Sequence, residues 1–273
     1  MPELPEVEVT RLSLLPHVLN RRIDHAQVLI PKLRYPIDPT LSQRITGATI
    51  TRIERRSKYL TITTSQGSLM VHLGMTGTLT IKPLDAPLLK HDHAHFSIGE
   101  HSLRFNDPRR FGALLWAEPG NEENLFHPLL KKLGIEPFDP LFTGEYLWQH
   151  ARQRQQAIKP LLLSGDIVVG VGNIYASEAL FKAGILPQRS AKRIAKERYQ
   201  RLALAIQDTL QQAITLGGST LRDFQHGIEQ NGYFQIHHQV YDREQQPCHH
   251  CQSPIRRIRQ AQRSTFYCPQ CQR

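Results

Sequence analysis

Four cysteines near the carboxyl end restrict the fold of this chain more tightly than any other feature. Cys248 and Cys251 form one C-x2-C pair, and Cys268 and Cys271 form another after a gap of sixteen residues. Each pair can bind one side of a tetrahedral ion, and four thiolates leave no coordination position open for chemistry. The spacing therefore predicts one structural Zn²⁺ ion bound by these residues. Free or redox-active thiols are the alternative, but they would not require paired spacing.

The charge of the chain indicates a polyanionic partner. Its 273 residues include 34 Lys and Arg but only 24 Asp and Glu, which gives a formal net charge of +10. Such an excess favours nucleic acid, with a basic enzyme of another kind as the alternative. No acidic residue follows Glu244, whereas the same stretch contains five arginines: Arg256, Arg257, Arg259, Arg263 and Arg273. A small zinc-bound hairpin rich in arginine is suited to phosphate contact, although such arginines can also simply be solvated.

Composition also bears on the location of the protein. No stretch approaches the roughly 18 consecutive apolar residues that a membrane span needs. The N-terminus lacks the basic and then apolar layout of a secretion signal. Clustered cysteines in a reducing compartment favour metal binding over disulfides. We therefore expect a soluble, cytoplasmic protein.

Strand signals dominate the first 120 residues. Runs of β-branched and apolar residues alternate with turn residues at 65–67, at the glycines between 74 and 77, and at 99–100. This pattern predicts an antiparallel sandwich or barrel. One helix is expected before the strands, from about Val7, with Pro16 ending or kinking it.

The residues from about 121 to 235 show helical periodicity. A long apolar repeat stops at Gly217 and Gly218. A shorter helix begins in the stretch GVGNIYASEALF, with Asn173 as its expected N-cap and Gly184 as its expected C-terminal stop. A G-x-G turn also occurs in dinucleotide sites, but no βαβ unit or distal ribose-binding acid accompanies it here.

The chain opens with MPELPEVE, which allows amine chemistry at the N-terminus. Removal of Met1 would leave Pro2 with a free secondary amine, and α-amino groups titrate near ~8. Such an amine can attack an electrophilic carbon and form an iminium, with Glu3 as proton donor and acceptor. The alternative is structural, because acidic residues before a helix also stabilise its N-terminal dipole.

Seven motifs together carry a resemblance to a known family. They occur in this order: PELPEVE, RRSKYL, HLGMTG, KHDH, NDPRRFG, GVGNIYASEALF and the paired C-x2-C motifs. From Pro2 to Gln272 the chain resembles the bacterial formamidopyrimidine-DNA glycosylases. The resemblance implies a monomeric, bacterial, nucleoid-associated repair enzyme that excises oxidised purines, chiefly 8-oxoguanine and formamidopyrimidines, from duplex DNA. It also implies abasic-site lyase activity by successive β- and δ-elimination through a Pro2 Schiff base.

The resemblance implies an α+β, multidomain fold. Its parts are a β-sandwich catalytic domain with a flanking helix (1–120), a linker region (121–135), a helix–two-turn–helix DNA-binding domain (136–235) and a zinc-ribbon finger (236–273). Pro2 would be the nucleophile and Glu3 the acid that opens the deoxyribose ring. The other implied catalytic residues are Glu6, Lys58 and Arg263. For Glu6, helix capping is an open alternative, and for Arg263 an electrostatic role is preferred because arginine is hardly ever deprotonated.

Base excision requires the damaged base to leave the stack, and the protein must then fill the gap. Met75, Arg109 and Phe111 match the three void-filling residues of the family and are expected on exposed loop tips. Further DNA contacts are implied for five residues, with hairpin stabilisation as the alternative for the first: His91, Arg110, Arg154, Lys159 and Asn173.

Three departures from the family pattern make the lesion spectrum less secure than the chemistry. His95 stands where an acid is expected, Ser57 replaces a common glycine, and Gln230 falls in the loop that caps the flipped base. Two other functions stay open. One is an endonuclease VIII-like glycosylase for oxidised pyrimidines. The other is a non-catalytic damage-binding module, which would result if Met1 were retained, because Pro2 nitrogen would then be a tertiary amide.

Overall fold

The computed structural model of the protein describes residues 2–219 and 234–273. Its chain divides into two compact units. One comprises the described residues of 1–131 and 216–233, and the other comprises 132–215 and 234–273. The expectations for Met1 and Gln230 concern residues outside the described part of the chain.

Helix α1 (Leu4–Val18) flanks the first unit and begins earlier than predicted. A proline in the first turn lacks only an N–H that would be unbonded there, so Pro5 is compatible with the helix start. Glu3 is the N-cap and forms a capping box with Glu6. Pro16 lies inside the last turn, and the helix continues to Val18. The expected start at Val7 and the possible end at Pro16 were therefore wrong by a few residues, whereas the helix itself is confirmed.

Two four-stranded antiparallel sheets form the predicted sandwich. The strands of the first sheet lie in the order β1, β6, β7, β5, and those of the second in the order β2, β3, β4, β8. Their bounds are β1 His25–Val28, β2 Ile50–Arg56, β3 Tyr59–Thr64, β4 Gly67–His72, β5 Thr78–Pro83, β6 Asp92–Ile98, β7 His101–Asn106 and β8 Ala113–Ala117. Helix α2 (Leu41–Ile45) packs on β1. Apolar side chains of α1 and of both sheets form one core, which includes Val7, Leu60 and Phe105.

The turn signals of the sequence correspond to the turns of the structure. Ser65 and Gln66 join β3 to β4, and Gly99 and Glu100 join β6 to β7. Gly99 has a φ of +58°, in the region that glycine adopts without steric cost. The strand assignments for the first 120 residues are therefore confirmed.

Helices dominate the second unit. They are α4 (Gly144–Ala151), α5 (Ile158–Ser164), α6 (Asn173–Lys182) and α7 (Lys196–Thr215). Helix α3 (Glu122–Leu130) belongs to the first unit and lies in the segment expected as a linker. Gly217 and Gly218 follow α7 with φ angles of +76° and +80°, as its predicted stop requires. Gly184 follows α6 with a φ of +67° and is likewise its C-terminal stop.

The cysteine-rich segment forms a hairpin of β9 (Arg256–Gln260) and β10 (Arg263–Tyr267). Its core contains Val240, Ile255 and Phe266 together with Cys248 and Cys268, and Phe181 of α6 packs into the same cluster. The α+β, multidomain fold class with a sandwich, a helical domain and a zinc finger is therefore confirmed. Within the described part of the chain, the helices are all too short or too polar to cross a membrane.

Candidate active site and nucleic-acid interface

The N-terminal residues are held in a buried, hydrogen-bonded arrangement. Pro2 is buried, and Glu3 and Glu6 are only 1% and 2% exposed. One carboxylate oxygen of Glu6 accepts the backbone N–H of Glu3 at 2.8 Å, and the other accepts that of Ser219 at 2.9 Å. The capping role left open for Glu6 is therefore present in the structure. Its hydrogen bonds fix the backbone beside Pro2.

Lys58 lies in the two-residue turn between β2 and β3. Ser57, its partner in the turn, has a φ of +57°, a conformation that favours glycine. Ser57, expected to depart from a glycine of the family pattern, thus occupies a position where glycine would carry less strain. Arg55 binds the Ser57 carbonyl at 3.1 Å and the Glu8 carboxylate of α1 at 2.9 Å. The ion pair thus connects α1 to the turn that carries half-buried Lys58.

Met75 and Phe111 are exposed on two loops that contact each other through their backbones. Their exposed fractions are 37% and 45%, and the guanidinium of Arg109 lies 4.7 Å from the Phe111 ring centre. A Cβ added to Gly74 would lie 2.5 Å from the carbonyl carbon of Phe111, so only glycine allows this approach. Met75 and Phe111 thus lie on exposed loops as predicted, and Arg109 lies beside Phe111.

Asp107 organises both loops from a fully buried position. Its carboxylate accepts the Thr76 hydroxyl at 2.7 Å and the backbone N–H of Gly112 at 2.8 Å. Its carbonyl accepts the N–H of Arg110, which has a φ of +56°. Sequence reasoning missed Asp107, although an aspartate at the start of an Asp-Pro turn is a signal for side-chain bonding to the following backbone.

His91 and His95 lie at different places on the first sheet. The carbonyl of half-buried His91 accepts the backbone N–H of Asp107 at 3.1 Å, so His91 supports the Asp107 loop through its backbone. The side chain of His95 lies on β6, 3.0 Å from the Gln27 amide oxygen of β1. His95 therefore links β6 to β1 through its side chain.

His72 at the end of β4 was also missed. Its Nδ1 atom accepts the backbone N–H of Gly74 at 3.0 Å. Its pKa is lowered to about 4, mainly because burial disfavours the charged ring and further because the positive charges of Arg34 and Lys58 oppose protonation. The ring is therefore neutral at pH 7 and fixes the start of the Met75 loop.

Asn173 is the first residue of α6 rather than its N-cap. Gly172 is the N-cap, with an extended backbone, so the predicted capping role of Asn173 was wrong by one position. The Oδ1 atom of Asn173 is buried and has no hydrogen-bond partner among the described residues. A glycine cap has no side chain with which to accept the backbone N–H groups of the first helical turn.

Lys159, expected as a DNA contact, is buried in the structure. The residue is 0% exposed, and its ammonium donates to the Thr265 hydroxyl at 2.9 Å and to the Ser264 carbonyl at 3.3 Å. Lys159 thus binds α5 to β10, because a buried ammonium needs acceptors from the protein in place of water. Arg154, by contrast, is exposed between α4 and α5.

Arg263 begins β10 at the exposed end of the hairpin. It pairs with Gln260, and Thr265 pairs with Ile258 two positions further along. Because alternate residues of a strand share a face, Arg263 projects from the same face as Thr265, the residue bound by Lys159. Arg259 pairs with Ser264 and therefore lies on the opposite face of the hairpin.

The four cysteines have the geometry of a metal site. Their Sγ atoms lie within 4.8 Å of one another. The Cys248–Cys271 and Cys251–Cys268 pairs are 3.9 and 3.4 Å apart. Tetrahedral zinc with bonds of about 2.3 Å requires sulfur separations of roughly 3.8 Å, so these residues fit the ion. Bound zinc would have no open position and would hold the finger together.

Comparison with known proteins decides the family. The formamidopyrimidine-DNA glycosylase N-terminal domain matches residues 1–114, and the H2TH domain of the same enzymes matches residues 133–225. A zinc finger found in FPG and IleRS matches residues 245–273. The chain belongs to the formamidopyrimidine-DNA glycosylase family. Its four cysteines accordingly form the structural zinc site of that family's finger.

Relatives and solved structures cover the whole length of this glycosylase family member. Formamidopyrimidine-DNA glycosylases of Ralstonia pickettii (strain 12J) and Herminiimonas arsenicoxydans are 53% and 51% identical, with 100% coverage of both chains. The Lactococcus lactis Fpg complex with an abasic site containing DNA has a TM-score of 0.91 at 33% identity, covering 99% of each chain. The MutM (FPG) protein from Thermus thermophilus has a TM-score of 0.88 at 36% identity, covering 99% of this chain and 98% of the other.

Proposed function

We propose that this protein is a bifunctional DNA glycosylase and abasic-site lyase that removes oxidised purines from duplex DNA. The observation that carries the proposal is the buried arrangement of Pro2, Glu3 and Glu6. The capping box of Glu3 and Glu6 fixes the backbone beside the Pro2 nitrogen, which becomes a secondary amine once Met1 is removed. Glu6 binds backbone N–H groups with both of its oxygens, and the Glu3 carboxyl group, next to Pro2 in the chain, is the candidate for proton transfer.

The chemistry assigned to these residues is covalent catalysis by an amine. The Pro2 nitrogen attacks C1′, the bond between C1′ and the damaged base breaks, and the electron pair leaves with the base. Glu3 takes the proton that the attacking nitrogen loses and delivers it to the ring oxygen as the sugar opens, and the nitrogen lone pair then forms the iminium. The iminium acidifies the 2′ hydrogen, so β-elimination releases the 3′ phosphate and δ-elimination then releases the 5′ phosphate.

The remaining site residues are assigned to binding the DNA. Met75, Arg109 and Phe111 would fill the space of the flipped base, and the loops that carry them are held by Asp107. Lys58, Arg110, Arg154, Asn173 and Arg263 would contact phosphates, where their charges or N–H groups stabilise the kinked backbone. His91 is kept as a further candidate contact. Lys159 is not proposed as a contact, because its ammonium is bonded to β10.

The proposed substrate class is oxidised purines, within base excision repair in the bacterial cytoplasm near the nucleoid. A structural relative from Lactococcus lactis was solved with a Fapy-dG containing DNA, at a TM-score of 0.92 and 34% identity. The wild-type enzyme of that organism was also solved with an oxidized pyrimidine containing DNA, at a TM-score of 0.90 and 33% identity. The purine assignment therefore needs a direct comparison of lesions. We propose a monomer as the working form.

The test is borohydride trapping on duplex DNA. The protein is incubated with 8-oxoguanine opposite cytosine in the presence of borohydride, and the expected product is a covalent adduct that peptide mapping places at Pro2. Acetylation of the N-terminus should abolish the adduct, whereas Glu54→Gln, an exposed change on β2, should leave it unaltered. Mass spectrometry of the native chain should show that Met1 is absent.

Two outcomes would redirect the proposal. DNA binding without an adduct would favour the damage-binding module. Faster trapping on thymine glycol than on 8-oxoguanine would favour the pyrimidine-directed branch of the family.

A further inference from the structure

Glu178, in the middle of α6, is a buried carboxylate that accepts hydrogen bonds from three backbone N–H groups. It is 1% exposed. One of its oxygens accepts the N–H of Gln239 at 2.8 Å, and the other accepts those of Val240 at 3.0 Å and Tyr241 at 2.8 Å. Lys182, one turn further along the helix, pairs instead with Asp208 at 2.7 Å. The pKa of Glu178 is raised, because the effect of burial exceeds the lowering by the three N–H donors and by the positive charge of Lys182.

The three N–H groups belong to the segment that leads into the zinc finger, and residues of this segment pack into the finger core. Val240 is fully buried in the finger core with Cys248, Cys268 and Phe266. Tyr241 packs edge-on against Phe266 of β10, with ring centres 5.1 Å apart. The carboxylate of Glu178 therefore fixes to α6 the segment on which the finger core is built.

Helix α6 also carries Asn173, five residues before Glu178. Asn173 begins the helix, whereas Arg263 stands on the finger hairpin. Both were assigned to DNA phosphates under the proposed function. A second bond between helices and finger runs from Lys159 of α5 to Thr265, on the Arg263 face of β10. The distance between Asn173 and Arg263 thus depends on two buried ionisable groups that both bind the finger.

We infer that Glu178 is a positioning residue that sets the zinc-finger arginine, Arg263, at a fixed distance from Asn173, so that both groups bind the DNA backbone together. This inference rests on the proposed function for the identity of the ligand. A carboxylate is required because it offers acceptors on both oxygens. An amide of the same shape presents an NH2 group toward at least one backbone N–H, which leaves a buried donor unpaired.

The test measures binding of a duplex that contains a tetrahydrofuran abasic-site analogue, which cannot react with Pro2. Glu178→Gln should weaken binding roughly 10- to 100-fold, since phosphate contacts made by a displaced arginine are lost. Its zinc content should stay at one ion per chain. Glu197→Gln, an exposed change on α7, is the matched control and should bind like the unaltered protein.

A double-mutant cycle separates positioning from general stability. If Glu178 acts through Arg263, then Glu178→Gln should weaken binding less than about threefold in an Arg263→Gln background. Multiplicative effects of the two changes, or unaltered binding by Glu178→Gln alone, would overturn the inference. Should Glu178→Gln fail to fold, Glu178→Asp keeps the charge on a shorter side chain, and the same cycle applies to it.

The two proposals fail separately. A coupled cycle without a Pro2 adduct would remove the proposed chemistry and keep the positioning role. An adduct at Pro2 with an uncoupled cycle would do the reverse.

Discussion

A neutral histidine controls the loop that carries Met75. The His72 ring accepts the Gly74 N–H, and its centre lies 4.7 Å from that of Tyr59, the neighbour of Lys58. Gly74 in turn is pressed against the backbone of Phe111 and Gly112. Protonation of His72 would remove the acceptor for Gly74 and add a third cation near Arg34 and Lys58. The loop that carries Met75 and its contact with the Phe111 loop therefore depend on an uncharged ring.

This arrangement predicts a pH dependence of stability. The pKa of His72 is about 4 in the folded protein and 6.5 in the reference state. Because the unfolded chain binds the proton more readily, stability is fully present above pH 6.5 and is lost as the pH falls toward 4. When the pH is lowered from about 7.5 to 4.5, the free energy of unfolding should fall by about 2–3 kcal/mol, because His72 is protonated in the unfolded chain but not in the folded protein.

Denaturant unfolding of the protein and of His72→Gln at both pH values measures this loss. The glutamine amide can still accept the Gly74 N–H but does not titrate, so the variant should lose less stability on acidification. Acid loss of zinc affects both proteins equally and cancels in the difference. Parallel pH profiles would show that His72 does not titrate in this way.

The role of a residue was predictable where it follows from local backbone conformation. It was not predictable where it depends on a partner that is distant in sequence. Gly184 follows from the need for a left-handed residue after α6, and exposed Met75 and Phe111 follow from glycines beside them. The buried position of Lys159 was not predictable, because its expected role came from the family resemblance and not from packing. Only the fold shows that Thr265, 106 residues away, provides its acceptor.

At the scale of elements, strands and turns were predictable because alternation and turn chemistry are local. The protection of the edge strand β1 was not. Its backbone N–H groups at Ala26 and Val28 point away from β6 and donate to Thr46 Oγ1 and Ser42 Oγ, both at 3.1 Å. Hydroxyls of α2 and its C-cap thus take the place of a further strand. Nothing in the local sequence links two hydroxyls to a strand some 14 to 20 residues earlier.

Removal of these hydroxyls should open the edge of the sheet. The double change Ser42→Ala and Thr46→Val leaves two N–H groups without partners, which should cost about 2 kcal/mol of unfolding free energy. An unprotected edge strand also promotes pairing between molecules, so the variant should aggregate on heating. Denaturant unfolding and light scattering measure the two effects. Thr51→Val, which makes one of the same substitutions at an exposed position of β2, should cause neither the loss of stability nor aggregation. If the double variant is as stable as the unaltered protein, water replaces the hydroxyls fully.

At the scale of the whole molecule, the two-layer sandwich, the helical region and the finger were all predictable from pattern. Each part has its own periodicity or ligand spacing, so it can be predicted from its own stretch of sequence. The grouping of the chain into units was not predictable in the same way. The finger shares its core with Phe181 of α6 and is fixed by Glu178 and Lys159, which are contacts between segments distant in sequence.

Zinc removal tests whether the finger is needed for DNA binding alone or also for the reaction at Pro2. None of the zinc ligands lies in the N-terminal unit, whose core of α1 and the two sheets is built without finger residues. Chelation should therefore unfold the finger, because zinc binding and finger folding are coupled, while the sandwich stays folded.

With the finger unfolded, Arg263 would lose its fixed position, and affinity for the abasic-analogue duplex should fall at least about tenfold. Trapping at Pro2 should recover when an abasic-site duplex is raised above the weakened Kd, because the amine and Glu3 are untouched. Readdition of Zn²⁺ is the control and should restore affinity. An adduct lost at every DNA concentration would place the zinc finger within the chemical step itself.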